Sequence, residues 1–171
     1  MASSARLVLI GPPASGKTKI GRRVAKSLGC EFVDTDAVIV ASHGPISDLF
    51  SHHGERYFRE LEQSVVASAL KHDAVVSLGG GAVVTEATRQ ALASERVVLL
   101  SISEDAVKHR VANSPKRPLL AGGIDAWKAL VEARRQWYDE CADITVDVSH
   151  RSPDDVASEI LEWLEGESEV E

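Results

Sequence analysis

The stretch GPPASGKT, at residues 11–18, follows an apolar run and precedes a segment with apolar residues at helical spacing. The run is RLVLI at residues 6–10, and the segment KTKIGRRVAKSLG carries Ile20, Val24 and Leu28 on one face. This order predicts a strand, a loop and a helix. The pattern GxxxxGK(S/T) between a strand and a helix is typical of a phosphate-binding loop. A glycine and proline turn before a helix is the alternative interpretation.

Two side chains of this loop point to nucleotide chemistry. In a phosphate-binding loop, Lys17 would reach the outer phosphates of a nucleoside triphosphate, and the Thr18 hydroxyl would bind Mg²⁺. Because Pro12 and Pro13 have no N–H group, we expect the backbone donors to come from residues 14–18.

The rest of the chain alternates short apolar runs with amphipathic segments. The runs are CEFVD, AVVSL, RVVLLSI and DITVDV, and the segments include a broken helix over ISDLFSHHGERYFRELEQSVVASALK. Strands rich in Val, Ile and Leu between helices predict an α/β fold, with a parallel sheet covered on both faces. Ser152 and Pro153 predict a capped start for the last helix. The acidic end EGESEVE has no apolar face, which favours a frayed tail at residues 165–171.

Length and composition set limits on the class of protein. The 171 residues, 44% hydrophobic and 26% charged, predict a single domain with its core at residues 6–164. A net charge of −7 argues against a sequence-independent nucleic-acid binder. The apolar LVLI is too short for a signal or a membrane span, and Cys30 and Cys141 have no metal or redox spacing. We therefore expect a cytoplasmic protein with reduced thiols that does not bind membranes and is a monomer.

An aspartate pair follows the second predicted strand. Asp34 and Asp36 lie one residue apart in EFVDTD. Either residue alone is also a common helix cap. Beside a phosphate loop, Asp34 suits the magnesium environment and Asp36 suits a substrate hydroxyl. The sequence has no base-recognition motif of switch GTPases, which favours a small-molecule kinase.

Several arginines are candidates for binding anions. Arg59 and Glu62 share a helix face in YFRELE, although such a pair is usually solvated. Arg134 lies in VEARRQWYDE, and Arg117 lies in SPKRPLLAGG, a loop that suits a lid over phosphates. The stretch LGGGAV is also unusual. Its three consecutive glycines, at residues 79–81, indicate that another group approaches the backbone closely.

Together these motifs resemble the shikimate kinase family. GPPASGKT, DTD, FRELE, LGGGAV, RPLL and the helix with Arg134 and Tyr138 occur in the family's order and spacing, over essentially the whole chain. The resemblance implies a five-stranded parallel sheet of order 2-3-1-4-5, a helical substrate-binding region and a lid at about residues 112–124. It also implies transfer of the γ-phosphoryl group of ATP to the 3-hydroxyl of shikimate, with Mg²⁺, in aromatic amino-acid biosynthesis.

The resemblance assigns roles to individual positions. Catalysis would rest on Lys17, Asp36 and Arg117, and magnesium on Thr18 and Asp34. ATP would contact Ala14, Ser15, Gly16, Lys17, Thr18, Lys19, Arg110, Arg117, Arg151 and Pro153, with Arg110 and Pro153 flanking the adenine. Shikimate would contact Asp36, Arg59, Gly79, Gly80, Gly81 and Arg134.

The chain departs from the family pattern at two positions. Ala14 stands where the family's phosphate loop often has glycine, and its Cβ would restrict the loop backbone. Gln136 replaces a proline, so Arg134 and Arg135 are both candidates, and the spacing to Tyr138 favours Arg134.

Two rival functions remain at this stage. Another small-molecule kinase, such as a gluconate or nucleoside-monophosphate kinase, would share the phosphate loop but not need two arginines for a carboxylate. A nucleotide-binding protein without catalysis would bind ATP and transfer nothing. The six histidines show no metal spacing and are predicted to lie on the surface.

Overall fold

The computed structural model describes residues 4–113 and 122–170. Its sheet contains five parallel strands in the order β2-β3-β1-β4-β5, which confirms the predicted parallel sheet and the order that the resemblance implies. The strands are β1 (Leu7–Ile10), β2 (Glu31–Asp34), β3 (Ala74–Ser77), β4 (Val97–Ser101) and β5 (Ile144–Asp147).

Helices cover both faces of this sheet and connect its strands. They are α1 (Lys17–Leu28), α2 (Thr35–His43), α3 (Ile46–Ala69), α4 (Glu86–Leu92), α5 (Glu104–Ala112), α6 (Gly123–Cys141) and α7 (Pro153–Ser168). A short 3-10 turn at Ala82–Val84 follows the three glycines. Within the described residues, every helix is too short or too polar to cross a lipid bilayer.

The core forms two apolar layers because successive residues of each central strand face opposite sides of the sheet. Leu7 and Leu9 of β1 pack in the layer beneath α1, α5 and α7. Val8 and Ile10 pack in the opposite layer, with residues of α3, α4 and α6. Full burial of both faces explains why the central strands are almost entirely Val, Leu and Ile.

The helix starts and breaks follow the local sequence. The Ser152 hydroxyl accepts a hydrogen bond from the N–H of Asp155, and Pro153 occupies the first helical position of α7. Gly54 has a φ of 83° inside α3, which confirms the predicted break. The predicted frayed tail is wrong for residues 165–168, because α7 continues to Ser168 and the Ser168 hydroxyl donates to the Leu164 carbonyl.

The histidines lie on the surface, as the sequence predicts, whereas the cysteines are less buried than expected. Cys30 and Cys141 are free thiols and half-buried. All six histidines are exposed, and the described residues contain no cluster of three His, Cys, Asp or Glu side chains suited to a metal.

Three of the predicted motifs follow parallel strands. The phosphate loop follows β1, the aspartate pair ends β2, and the glycines follow β3. The carboxyl ends of parallel strands share one edge of a sheet, and ligands of open α/β sheets bind there. The candidate site therefore lies at this edge.

Candidate active site

The phosphate loop adopts a backbone that is unusual for alanine. Ala14 has a φ of 70°, a region that favours glycine, so the expected restriction by its Cβ has a structural basis. Gly16 also has a positive φ and immediately precedes the first helical residue of α1. The N-terminus of α1, with its partial positive charge, therefore faces the loop.

Lys17 lies at the centre of this loop. Its Nζ donates to the carbonyl oxygens of Gly11 and Pro12, at 2.7 and 3.0 Å. Burial lowers the pKa of this ammonium group to about 8, against the opposing charges of Asp36 and Asp34. The lysine is thus a desolvated cation, and an incoming phosphate would meet it without a large water shell.

Asp34 performs two tasks at the end of β2. Its Oδ1 accepts hydrogen bonds from the N–H groups of Asp36 and Ala37, which caps α2. Its Oδ2 accepts a hydrogen bond from the Thr18 hydroxyl at 3.1 Å. The capping and magnesium interpretations therefore do not exclude each other, since one oxygen serves each. A hydroxyl and a carboxylate oxygen side by side are donors of the type that Mg²⁺ prefers.

Asp36 lies against the first of the three glycines. A Cβ on Gly79 would collide with the Asp36 carboxylate, so a larger residue there would displace that carboxylate. Burial raises the pKa of this carboxyl, and the charge of Asp34 raises it further, while Lys17 and Arg59 oppose the rise.

Arg59 and Glu62 form a largely buried ion pair, which excludes the alternative interpretation of a solvated pair. Nη1 of Arg59 donates to Oε1 of Glu62 at 2.8 Å, and the two side chains are 15% and 2% exposed. The guanidinium carbon lies 5.9 and 5.3 Å from the ring centres of Phe50 and Phe58. Burial raises the pKa of Glu62, against the effect of Arg59. These contacts fix a desolvated cation on α3.

The glycines make room for protein side chains as well as for a ligand. A Cβ on Gly81 would lie 2.5 Å from Nη2 of Arg59, so the arginine occupies the space that a side chain would fill. Asp36, Arg59 and the glycines line a cavity of about 150 Å³. Its complete lining is Asp36, Ile46, Phe50, Phe58, Arg59, Glu62, Gly79, Gly80 and Gly81.

Helix α6 carries the second arginine predicted to bind the substrate, Arg134, which is not among the residues that line this cavity. Arg134 is half-buried, whereas Arg135 is exposed and its Nε lies 3.1 Å from Oε2 of Glu132. The charge of Arg134 lowers the pKa of Lys17 and opposes the rise that burial gives the pKa of Tyr138. The structure therefore places Arg134, rather than Arg135, toward the site.

A second cavity, of about 360 Å³, borders the phosphate loop at Gly16. Its lining contains five positions that the resemblance assigns to ATP: Gly16, Lys19, Arg110, Arg151 and Pro153. Arg110 also donates from Nη1 to the Ala14 carbonyl at 2.8 Å. The phosphate loop thus adjoins this larger cavity at Gly16, and its Pro13 lies near Gly80 of the small cavity.

A sequence model of shikimate kinases matches residues 13–165 of the chain. The chain belongs to the shikimate kinase family.

Individual relatives agree with this membership over nearly their full lengths. A shikimate kinase of Corynebacterium efficiens is 44% identical over 162 residues, which cover 93% of this chain and 96% of the relative. One of Mycobacterium avium is 46% identical over 163 residues, covering 93% of each protein.

Solved structures of shikimate kinases have the same fold. The enzyme of Acinetobacter baumannii, solved with shikimate, gives a TM-score of 0.87 at 30% identity and covers 96% of this chain and 94% of its own. That of Aquifex aeolicus gives 0.79 at 35% identity, with 95% and 97% covered. A gluconokinase of Sinorhizobium meliloti, at 18% identity and a TM-score of 0.61, shares the fold alone.

Sequence reasoning missed several contacts that support this kinase site. The indole of Trp127 donates to the Pro13 carbonyl at 2.9 Å, and the Tyr138 hydroxyl donates to the Gly80 carbonyl at 2.6 Å. The Thr35 hydroxyl accepts from the N–H of Gly79 at 3.3 Å. No local pattern signals these bonds, because each joins residues far apart in the chain. The predicted lid residue Arg117 lies outside the described residues.

Proposed function

We propose that this chain transfers the γ-phosphoryl group of ATP to the 3-hydroxyl of shikimate in the cytoplasm. The observation that carries the proposal is the cavity of about 150 Å³, where a half-buried arginine and a half-buried aspartate line a pocket whose Gly80 lies against Pro13 of the phosphate loop. A cation on one side and a carboxylate on the other suit a small acid with hydroxyl groups. The shikimate complex of the Acinetobacter baumannii relative supports the same substrate.

Arg59 would hold the substrate carboxylate. Its Nε–H is buried and makes no hydrogen bond within the described part of the chain, and an Oε1 atom of Glu55 lies 3.5 Å away. A buried donor without a partner is costly, so a carboxylate ligand would relieve that cost. Arg134 would add a second cation from α6, and Glu62 would keep the Arg59 guanidinium in place.

Asp36 would orient the acceptor hydroxyl and take its proton. The charges of Lys17 and Arg59 both act on this carboxylate, which lines the cavity, so an acceptor hydroxyl bound to it would lie close to the phosphate loop for in-line attack on the γ-phosphorus. Because burial raises its pKa, this carboxylate is a stronger base than an exposed aspartate.

The nucleotide would lie across the phosphate loop. Lys17 and the backbone N–H groups of residues 14–18 would bind the phosphates, and the larger cavity would take the adenine between Arg110 and Pro153. Lys19 and Arg151 border the same cavity. Arg117 is expected to reach the transferred phosphoryl group from the lid.

Thr18 and Asp34 would hold Mg²⁺. Magnesium usually takes one or two protein oxygens together with substrate phosphates, and these adjacent side chains fit that number. When bound, the ion neutralises charge on the phosphates. Asp34 keeps one oxygen for capping α2, so the cap survives when its other oxygen is used.

A coupled assay of ADP release tests the proposal. ATP and Mg²⁺ are combined with shikimate, gluconate, nucleoside monophosphates or no acceptor, and NMR of the product locates the phosphate. We expect rapid release with shikimate alone and phosphate on the 3-hydroxyl. ADP release with another acceptor would identify that acceptor, rather than shikimate, as the substrate. Nucleotide binding without ADP release would favour a nucleotide-binding protein without catalysis.

A further inference from the structure

We propose that Trp127 is a positioning residue that fixes the peptide plane between Pro13 and Ala14 in the phosphate loop. The inference deepens the proposed function, since it concerns how the ATP site of this chain is held. It concerns a contact between α6 and the loop that joins β1 to α1.

Side chains bind three consecutive carbonyl groups of this loop. Lys17 donates to the carbonyl of Pro12, the Trp127 indole to that of Pro13, and Arg110 to that of Ala14. Trp127 is 3% exposed and lies in the apolar layer that Ala14 also packs against. The indole is therefore held by its surroundings and cannot follow a moving loop.

The middle bond controls where an N–H group points. A peptide group is planar and trans, so a carbonyl directed at Trp127 turns the N–H of Ala14 to the opposite side. Rotation of this plane would reverse both groups and present a carbonyl oxygen where a donor is needed for phosphate. Such a reversal would oppose nucleotide binding.

The backbone conformation of Ala14 favours rotation of the Pro13–Ala14 peptide plane. The Ala14 φ of 70° lies in the left-handed region, which costs an L-residue conformational free energy. Rotation about the Pro13–Ala14 plane would release that cost. The Trp127 bond therefore opposes a strain that a glycine at this position would not have.

The decisive experiment is a double-variant cycle between W127F and A14G. Phenylalanine keeps most of the apolar volume and removes the N–H donor. Calorimetry with MgADP measures nucleotide binding without phosphoryl transfer, so its result is independent of the acceptor. Steady-state kinetics with ATP and shikimate are measured in parallel.

We expect W127F to weaken MgADP binding about five- to tenfold, which is the usual effect of one lost hydrogen bond. The KM for ATP should rise by a similar factor, with kcat and the KM for shikimate within about twofold. The A14G change in the W127F chain should restore binding to within about twofold, because glycine removes the strain. W137F, on the same helix and half-buried, is the matched control and should leave MgADP binding unchanged.

Three results would overturn the proposal. The first is unchanged MgADP binding by folded W127F. The second is a loss of MgADP binding that A14G does not suppress. The third is a fall in kcat together with equal rises in both KM values, in proportion to a loss of stability. Should W127F not fold, hydrogen exchange of the Trp127 indole N–H in the unaltered chain provides the test. We expect MgADP to slow that exchange, and unchanged or faster exchange would reject the role.

Discussion

Replacing Arg59 with alanine tests the buried ion pair at the heart of the site. In the R59A variant the Glu62 carboxylate, 2% exposed, would lose the partner 2.8 Å away. A buried carboxylate without a partner takes up a proton rather than remain charged. The cost of that protonation sets an upper limit on the loss of stability.

The limit follows from the ordinary pKa of glutamate, 4.5. At pH 7.5, protonating Glu62 costs about 4 kcal/mol, and at pH 5.5 it costs about 1.4 kcal/mol. We therefore expect R59A to lower the free energy of unfolding by about 3–4 kcal/mol at pH 7.5. The loss should shrink toward pH 5.5, because a raised carboxyl pKa costs stability only above the ordinary pKa.

Urea unfolding at the two pH values measures this loss. The matched control is R56A, on the same helix, where the arginine is 93% exposed and its Nε lies 3.3 Å from Oε1 of Glu60. An exposed pair of this kind is worth about 0.5 kcal/mol or less. The double variant R59A/E62Q should recover most of the stability that R59A loses, because glutamine carries no charge that needs a partner. It should still not bind shikimate, because Arg59 is absent. A loss below about 1 kcal/mol at pH 7.5, or one independent of pH, would refute the argument.

Three further predictions concern the phosphate loop and the glycines. K17M should lower kcat about a thousandfold or more with the fold retained by circular dichroism, and near-normal turnover would exclude the proposed mechanism. The pKa of Lys17 in the protein without nucleotide is about 8. The value of kcat/KM for ATP should therefore fall as the pH rises through about 8, because the lysine loses its charge, and a constant kcat/KM up to about pH 9 would contradict this prediction. G81A should raise the KM for shikimate about tenfold or more by displacing Arg59, whereas G166A, with open space around it, should leave that KM unchanged.

The sequence predicted the sheet because its evidence is local. Each central strand is a short Val- and Leu-rich run with a turn after it, so strand positions and a parallel sheet could be inferred without contacts, whereas the strand order came from the family resemblance. Helix α2 was missed. Its Val38, Ile39 and Val40 form a β-branched run that favours a strand, and the Asp34 cap together with burial of Ile39 overrides that preference.

The contacts at the site could not be predicted from the sequence, because they depend on residues far apart in the chain. A pattern can bring Arg59 and Glu62 to one helix face, but it cannot say whether that face is solvated. Burial of the pair depends on the rings of Phe50 and Phe58 and on the space left by Gly81. The Trp127 contact spans 114 positions and has no local signature.

The break at Gly54 divides the wall of the small cavity beside Arg59 between two pieces of α3. Ile46 and Phe50 come from the piece before the glycine, whereas Arg59 and Glu62 come from the piece after it. Because Phe50 packs on the Arg59 guanidinium, Ile46 is the position in the first piece where a substitution would reshape the cavity with the least effect on that arginine. A protein engineer seeking a kinase for a different small acid would randomise position 46 first, and leave Phe50 and the second piece untouched.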